Sequence, residues 1–172
     1  WYEQSMQLDD QDPRAPLRLA QAAFDSDPAQ ARALLEHVIV LDADIAEAHA
    51  SLAVLDAIEG DDEKALLRMD HAVALSPTSP GIRVVQARVA RLLGEPSRGV
   101  EVILSLSAPA RSTEAASLEL EACWGALGRP DRIADAWEAC FVGNAHRSDA
   151  WRFAVRAAEA ALAAGDRGRA AT

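Results

Sequence analysis

Histidines and paired carboxylates are the groups in this chain that could hold a metal ion or move a proton. Metal-binding histidines stand at short fixed spacings or beside other ligands. Here they are scattered, and the paired carboxylates Asp61 and Asp62 stand at a predicted helix end, where capping and the helix dipole explain them. We therefore predict no metal site, no cofactor and no acid–base pair. The histidines are His37, His49, His71 and His146.

Two cysteines, Cys123 and Cys140, complete the set of reactive side chains. They form no CxxC pair, and a disulfide-bonded scaffold would need more of them. No His or basic residue beside them in the sequence predicts a lowered thiol pKa. We predict that both are reduced, buried and structural. Reduced thiols, together with the absence of a signal-peptide pattern after Trp1, favour a cytoplasmic location.

Motifs of known catalytic and nucleotide sites are absent. The chain contains no GxGxxG, GxxxxGK[ST], HExxH or GxSxG segment. We therefore predict that this stretch of chain is not an enzyme and that its function depends on its surface.

Composition and charge indicate the class of protein. Of 172 residues, 50% are hydrophobic and 5% aromatic, which predicts a folded protein. Alanine is the most frequent residue and β-branched residues are sparse, so we predict an all-α fold. No apolar run approaches the roughly 20 residues that a membrane span needs. The net charge of −10 disfavours binding to nucleic acid.

A period of 34 residues organises the chain. Gly60, Gly94 and Gly128 are 34 residues apart, and each ends a segment with helical periodicity. Three columns of apolar or Gly residues recur with the same period, separated by helical steps of four and three. This pattern predicts stacked helical hairpins. The columns are Ala31, Ala65, Gly99 and Ile133; Leu35, Met69, Ile103 and Trp137; and Val38, Ala72, Leu106 and Cys140.

Local signals place two antiparallel helices in each period. The segment Ala46–Glu59 is apolar and has no helix breaker, and Gly60 followed by two Asp residues predicts a stop and a new N-cap. A second helix is predicted over 63–75, because Pro77 cannot continue it and disfavours helix at Ser76.

The clearest repeat unit is 46–79. It combines a Leu-small pair, a turn glycine, small residues, one bulky residue and a terminal proline, namely Leu52, Ala53, Gly60, Ala65, Met69, Ala72 and Pro77. In these positions the chain resembles the tetratricopeptide-repeat family. The unit departs from the family at His49 and Asp56, where aromatic residues are usual, and we expect His49 to fill the aromatic's place in the core. The resemblance implies a right-handed α-solenoid of antiparallel helix-turn-helix repeats.

The resemblance covers nearly the whole chain as one superhelical domain. It implies repeats over 12–45, 46–79, 80–113 and 114–147, with first-repeat helices over 14–24 and Pro28–Leu41. Residues 1–11 are predicted to be the tail of a preceding helix, and 148–172 a partial last repeat with a helix over 150–164. Both ends then fall within a repeat, so we expect a piece of a longer array or the arm of a larger protein.

The resemblance also implies where a partner binds, since in this family the first helices line a concave groove that holds peptides. The middle of the implied groove is apolar and flanked by arginines, which suits an amphipathic helix or an apolar segment with acidic residues. Two alternatives stay open: the apolar residues are packing surface, and Arg88 and Arg91 are solvated or paired with Glu95. The implied lining is Arg14, Leu17, Arg18, Gln21, Glu47, Ala50, Val54, Ile58, Val84, Arg88, Arg91, Leu118, Glu119, Ala122, Arg152, Val155, Arg156 and Glu159.

Three functions remain open at this point. The first is a scaffold or adaptor in a bacterial assembly that holds a partner protein in the groove. The second is the substrate-recruiting arm of an enzyme, such as a bacterial glycosyltransferase or sulfotransferase. The third is self-association through the repeat ends. The implied lining has no Lys or Asn with which to clamp an acidic chaperone terminus, so that role is disfavoured. Trp124 and Trp137 are predicted to be core residues.

Overall fold

The computed structural model describes residues 12–166, which form ten α-helices and contain no β-strand. The predicted features over 1–11 and 167–172 lie outside these residues. The all-α prediction is confirmed. The helices are α1 (Arg14–Ala23), α2 (Pro28–Leu41), α3 (Ala46–Glu59), α4 (Asp62–Leu75), α5 (Pro80–Leu92), α6 (Pro96–Leu104), α7 (Ala108–Arg111), α8 (Glu114–Ala126), α9 (Pro130–Gly143) and α10 (Trp151–Ala163).

The chain divides into two compact units, and the division falls inside α5. Unit 1 is Trp1–Val89 and unit 2 is Ala90–Thr172.

Helix starts follow from proline and capping residues. Proline is the first residue of α2, α5, α6 and α9, where its missing N–H costs nothing and its fixed φ suits the helix. The Asp27 carboxylate accepts the N–H of Gln30 at 2.9 Å, and Asp61 accepts that of Lys64 at 3.3 Å. Asp61 is thus the N-cap that the sequence predicted after the Gly60 stop.

Helix ends depend on the periodic glycines. Gly60, Gly94, Gly128 and Gly165 have φ of 82°, 80°, 64° and 81°, the left-handed conformation that closes a helix. No other described residue has positive φ. The 34-residue glycine period is therefore a period of helix ends, as the sequence predicted.

Unit 1 is a pair of packed hairpins, α1 with α2 and α3 with α4, joined by contacts between α2 and α3. Its core combines Ala20 of α1, Leu35 and Val38 of α2, and Leu52 and Leu55 of α3, all at most 2% exposed. The column residues Ala65, Met69 and Ala72 of α4 are also buried. The predicted columns in this unit are thus core.

Unit 2 packs α9 against both α8 and α10, and α6 against α8. Trp137 of α9 and Phe153 of α10 stack with ring centroids 6.1 Å apart, and both are at most 2% exposed. Cys140 completes this core and is fully buried. Trp137 is therefore a core residue, as predicted, whereas Trp124 is only half-buried.

The third hairpin departs from the pattern. Helix α6 has 9 residues, whereas α2, α4 and α9 each have 14. It cannot continue through Pro109, which has no N–H to give to a continued helix and whose ring would clash with the carbonyl of Ser105. Ser107 is extended, and the short helix α7 follows. The column residue Leu106 therefore lies outside α6 and is half-buried.

Candidate functional site

The predicted lining residues of unit 1 fall into exposed and buried groups. Ala50, Val54 and Val84 are 1%, 4% and 7% exposed, so the predicted apolar middle is packing and presents little surface, the alternative that the sequence left open. Ile58 is 62% exposed. Leu17 is half-buried and packs against the core. The exposed polar members are Arg14, Arg18, Gln21, Glu47 and Arg88.

Three of these polar residues, Arg14, Arg18 and Gln21, are held by local contacts. Arg14 forms an ion pair with Asp12, with Nη2 and Oδ2 2.9 Å apart. Arg18 donates from Nη1 to Oε1 of Gln21 at 3.1 Å. These contacts fix the three side chains on one exposed face of α1 without burying them.

A buried carboxylate in unit 1 was missed by the lining prediction. Asp56 of α3 is 2% exposed and lies between two arginines. Its Oδ1 is 2.8 Å from Nη1 of Arg32 in α2, and its Oδ2 is 3.0 Å from Nε of Arg68 in α4. Arg32 also reaches Oε2 of Glu59 at 3.0 Å. The carboxylate therefore joins three helices where the family resemblance implies an aromatic residue.

His49 differs from its predicted core role. It is half-buried, its Nε2 is 2.9 Å from the carbonyl oxygen of Ala43, and its ring meets that of His71 edge-on with centroids 4.4 Å apart. A polar imidazole needs a hydrogen-bond partner, and the Ala43 carbonyl, in the turn before α3, supplies one.

In unit 2, two predicted lining residues pair with each other. Glu119 of α8 is 3% exposed, and its Oε1 accepts from Nε of Arg91 at 2.6 Å. Arg91 is therefore paired with Glu119. It is neither simply solvated nor paired with Glu95, the two alternatives that the sequence left open. The pair is internal to the unit, and Glu119 presents almost no surface.

The charges of Arg91 and Glu119 affect the thiol of Cys123. The Sγ atom of Cys123 lies 3.7 Å from Oε1 of Glu119. Burial raises the pKa of Cys123 to about 12, and the Glu119 charge adds to this rise, against the opposing charge of Arg91. Burial also raises the pKa of Cys140. Both thiols are free and buried, as predicted, although the sequence did not predict the arginine beside Cys123.

A surface formed by α8 and α10 brings together other predicted residues of unit 2. Arg152 pairs with Glu114 at 2.5 Å, and Arg156 pairs with Glu121 at 3.0 Å. Leu118 lies between the two glutamates on the same stripe of α8 and is 43% exposed. We call Glu114, Leu118, Glu121, Arg152, Val155 and Arg156 the α8–α10 surface.

The apolar part of the α8–α10 surface is exposed. Val155 is 46% exposed and lies next to the two paired arginines of α10. Beneath the surface, Nε1 of the buried Trp137 donates to Oε2 of Glu121 at 2.7 Å, and Arg156 covers its ring at 5.0 Å. The surface therefore exposes a leucine and a valine side chain between two ion pairs. Glu121 of one pair is also hydrogen-bonded to the buried Trp137.

Several residues near this surface were missed by sequence reasoning. Glu114 and Glu121 stand seven residues apart, so they share a face of α8, and this spacing was the available signal. Trp151, four residues before Val155, is 66% exposed. Of the remaining predicted lining residues, Ala122 is half-buried and Glu159 is exposed.

Among residues 12–166, no group of three or more His, Cys, Asp or Glu side chains is arranged to hold a metal ion. No helix within the described part of the chain has the length and apolar character to cross a membrane.

The fold is similar to those of solved helical-repeat proteins. TTC0263, a tetratricopeptide-repeat protein of Thermus thermophilus, aligns with a TM-score of 0.73 and 19% identity over 94% of this chain and 87% of its own. PilF of Pseudomonas aeruginosa aligns with a TM-score of 0.68 and 18% identity over 94% of this chain and 72% of its own. YrrB, described as a tetratricopeptide-repeat protein with an unusual peptide-binding site, aligns with a TM-score of 0.52 and 14% identity over 98% of this chain and 86% of its own.

Sequence comparison adds no closer relative. No protein-family model matches the chain, and no curated protein matches it in sequence. The structural likeness, the hairpins and the four left-handed glycines agree with one another. The chain therefore has the all-α, antiparallel helix-turn-helix fold of tetratricopeptide-repeat proteins, as the resemblance of the unit 46–79 implied.

Proposed function

We propose that this chain is a protein-interaction module that holds a partner peptide or helix on its first-helix faces, as a scaffold or adaptor in a bacterial assembly. The observation that carries the proposal is the α8–α10 surface, where Leu118 and Val155 are exposed between two ion pairs. Exposed apolar side chains with a polar frame are the usual anatomy of a binding surface.

The charges of this surface support an amphipathic partner. The ion pairs of Arg152 with Glu114 and of Arg156 with Glu121 leave the arginine side chains 43% and 48% exposed. Acidic groups of a partner can approach these guanidinium groups at the rim, while its apolar residues cover Leu118 and Val155. The peptide-binding site described for YrrB is consistent with this use of the fold.

In unit 1 the module offers a more polar face. Arg18, Gln21 and Glu47 are exposed on first helices, together with Ile58. We include this face in the proposed partner-binding set, but the buried Ala50, Val54 and Val84 would act there through packing. We also propose a cytoplasmic location, because both cysteines are free thiols in the core.

The test is quantitative capture of proteins from the source lysate by immobilised wild-type chain and by a Leu118→Asp, Val155→Asp variant. The expected result is loss of at least one captured protein from the variant. The control is Val40→Asp, Leu67→Asp, which alters two side chains that are 82% and 71% exposed on second helices. Circular dichroism establishes that both variants are folded.

Two results would contradict the proposal. One is an identical set of captured proteins for the wild type and the α8–α10 variant. The other is loss of the same captured proteins from the control variant, which would place binding outside the first-helix faces. A change in sedimentation with concentration would instead support self-association, the third function left open by the sequence.

A further inference from the structure

A pocket of about 280 Å³ lies in unit 2, among the end of α6, the short helix α7, α8 and α9. Its walls are mainly apolar. They include Leu104, which is 48% exposed, Leu120, the half-buried ring of Trp124, and Ala136. None of these residues belongs to the α8–α10 surface, so the pocket is a separate feature of the unit.

The pocket exists because the third hairpin is irregular. Helix α6 stops at Leu104, five residues short of the length of the other second helices, and the extended Ser107 separates it from α7. Small side chains, Ala108 on α7 and Ala136 and Ala139 on α9, leave the space between them unfilled. A regular repeat would continue α6 past this position.

The pocket continues as a groove along α9. A neighbouring, wider depression shares Ala108 and Ala139 with the pocket and extends to Val142, which is 73% exposed, and Asn144. At that end the groove is closed by Nδ2 of Asn144, which donates to the carbonyl of Ser112 at 2.8 Å. From Arg132 to Val142 the helix rises about 15 Å, the length of four or five residues of extended chain.

The size of the pocket indicates what kind of group fits. Sites for whole small-molecule ligands occupy about 300–1,000 Å³ and enclose most of the ligand. A space at the lower limit of this range, open on one side into a groove, suits a single large side chain of a bound segment. The few side chains that carry most of the affinity of an interface fill well-packed pockets, and aromatic side chains are frequent among them.

The charges at the rim indicate what flanks that side chain. Arg111 and Arg132 lie at the pocket with one carboxylate, Asp135. Arg132 is 3.5 Å from Asp135, a long ion pair, and its side chain is half-exposed above the ring of Trp124 at 5.8 Å. Arg111 donates to the carbonyl of Leu104 at 3.2 Å. At the pocket itself two guanidinium groups therefore lie beside one carboxylate, in a chain of net charge −10, whereas the wider depression adds Glu138 and no further cation.

We infer that this groove binds an acidic, extended peptide segment of another protein. One aromatic or branched apolar side chain of the segment enters the pocket beside Trp124. Carboxylates that flank this side chain in the segment pair with Arg111 and Arg132. The inference adds a second binding surface to unit 2 and does not depend on the α8–α10 surface.

The experiment selects binders from a random-peptide library displayed on phage, using the whole chain as bait. The expected result is enrichment of peptides with an aromatic or branched apolar residue and Asp or Glu within two positions of it. A synthetic peptide of the enriched sequence is then titrated against variants. Ala139→Phe, at an exposed position that a larger side chain can occupy, fills the groove and is expected to weaken binding by about tenfold or more.

Matched controls separate the groove from general effects. Ala33→Phe alters an exposed alanine in the middle of α2 and is expected to leave the affinity unchanged. Arg132→Glu is expected to weaken binding by about tenfold, whereas Arg98→Glu is expected to have no effect. Arg98 is equally exposed and has the same type of ion pair, with Glu95 at 3.2 Å.

The inference is overturned by any of three results. These are failure to enrich any peptide, enrichment of peptides without the apolar residue, and equal affinity for the wild type and the folded Ala139→Phe variant. Loss of the peptide in Leu118→Asp, with retention in Ala139→Phe, would assign it to the α8–α10 surface. In that case the groove inference fails while the proposed function is supported.

Discussion

Replacement of Asp56 by Asn tests whether the buried carboxylate holds unit 1 together. Asp56 is 3% exposed at its side chain and contacts Arg32 and Arg68 on the two neighbouring helices at 2.8 and 3.0 Å. Asn keeps the shape and one acceptor oxygen but removes the charge. Both arginines then lose their closest counter-ion, although Arg32 retains Glu59 at 3.0 Å.

The expected cost follows from burial. Removal of one partner from a fully buried ion pair costs about 3–5 kcal/mol. Because the Arg32 and Arg68 side chains keep 22% and 25% of their surface exposed, water offsets part of this loss. We therefore expect Asp56→Asn to lower the free energy of unfolding by about 2–3 kcal/mol. Burial lowers the pKa of Arg32, but the bonds to Asp56 and Glu59 outweigh it and raise the pKa overall, so the guanidinium stays charged.

The assay is urea unfolding followed by far-UV circular dichroism, with the midpoint and slope fitted separately. The matched control is Asp70→Asn on the exposed face of α4, for which we expect a change within about 0.5 kcal/mol. A third variant, Asp56→Leu with Arg32→Met and Arg68→Met, removes all three charges together. Since it leaves no buried charge unpaired, we expect it to recover at least half of the loss.

Two outcomes would refute this reasoning. If Asp56→Asn unfolds at the same urea concentration as Asp70→Asn, the carboxylate contributes nothing through its charge. If the triple variant is no more stable than Asp56→Asn, the loss arises from packing rather than from unpaired arginines. A change in slope alone would indicate that the denatured state, not the ion network, has changed.

Three further predictions concern single positions. Trp137→Phe removes the bond from Nε1 to Glu121 and leaves a small cavity in the core, and we expect a loss of about 2–3 kcal/mol in urea unfolding, against no loss for Trp151→Phe at the surface. For Cys123, whose pKa is raised from 9.0 to about 12, the folded chain keeps a proton that the unfolded chain releases between these values. Its contribution to stability is therefore complete below pH 9 and falls by up to about 1.4 kcal/mol per pH unit above it, a slope that Cys123→Ala should reduce. Gly60→Ala places a side chain at φ 82°, and we expect a loss of about 1–2 kcal/mol, measured against Gly125→Ala in the last turn of α8, where φ is not positive and which should be neutral or stabilising.

The sequence predicted the hairpins well because their signals are local. A glycine that must be left-handed, an Asp that caps the following helix and a proline at a helix start each act within a few residues. For this reason the predicted helix Ala46–Glu59 has the bounds observed for α3. The same local chemistry could have predicted the early end of α6, since Pro109 stands where a continued helix would need an N–H.

The candidate surfaces were harder to predict, because burial and pairing depend on which helices meet. Val54 occupies a position that the family resemblance assigns to the groove, yet it is 4% exposed. Glu119 was assigned to the same lining, yet its carboxylate is bonded to Arg91, 28 residues earlier. Helical periodicity gives the face on which a residue lies, but it does not show what the neighbouring helix presents to that face.

The two buried carboxylates, Asp56 and Glu119, can make the packing of helices selective, which the apolar columns cannot do. Column residues such as Leu35 and Met69 are similar in size and character, so one hairpin could pack against another with little loss. Asp56 and Glu119 are selective, because each is buried and needs an arginine from a particular neighbouring helix. A wrongly packed hairpin would leave a buried carboxylate unpaired, at a cost of several kcal/mol, whereas correct packing places an arginine beside it. In a chain built from similar hairpins, we therefore expect the charged pairs to set which helices become neighbours and the columns to supply most of the stability.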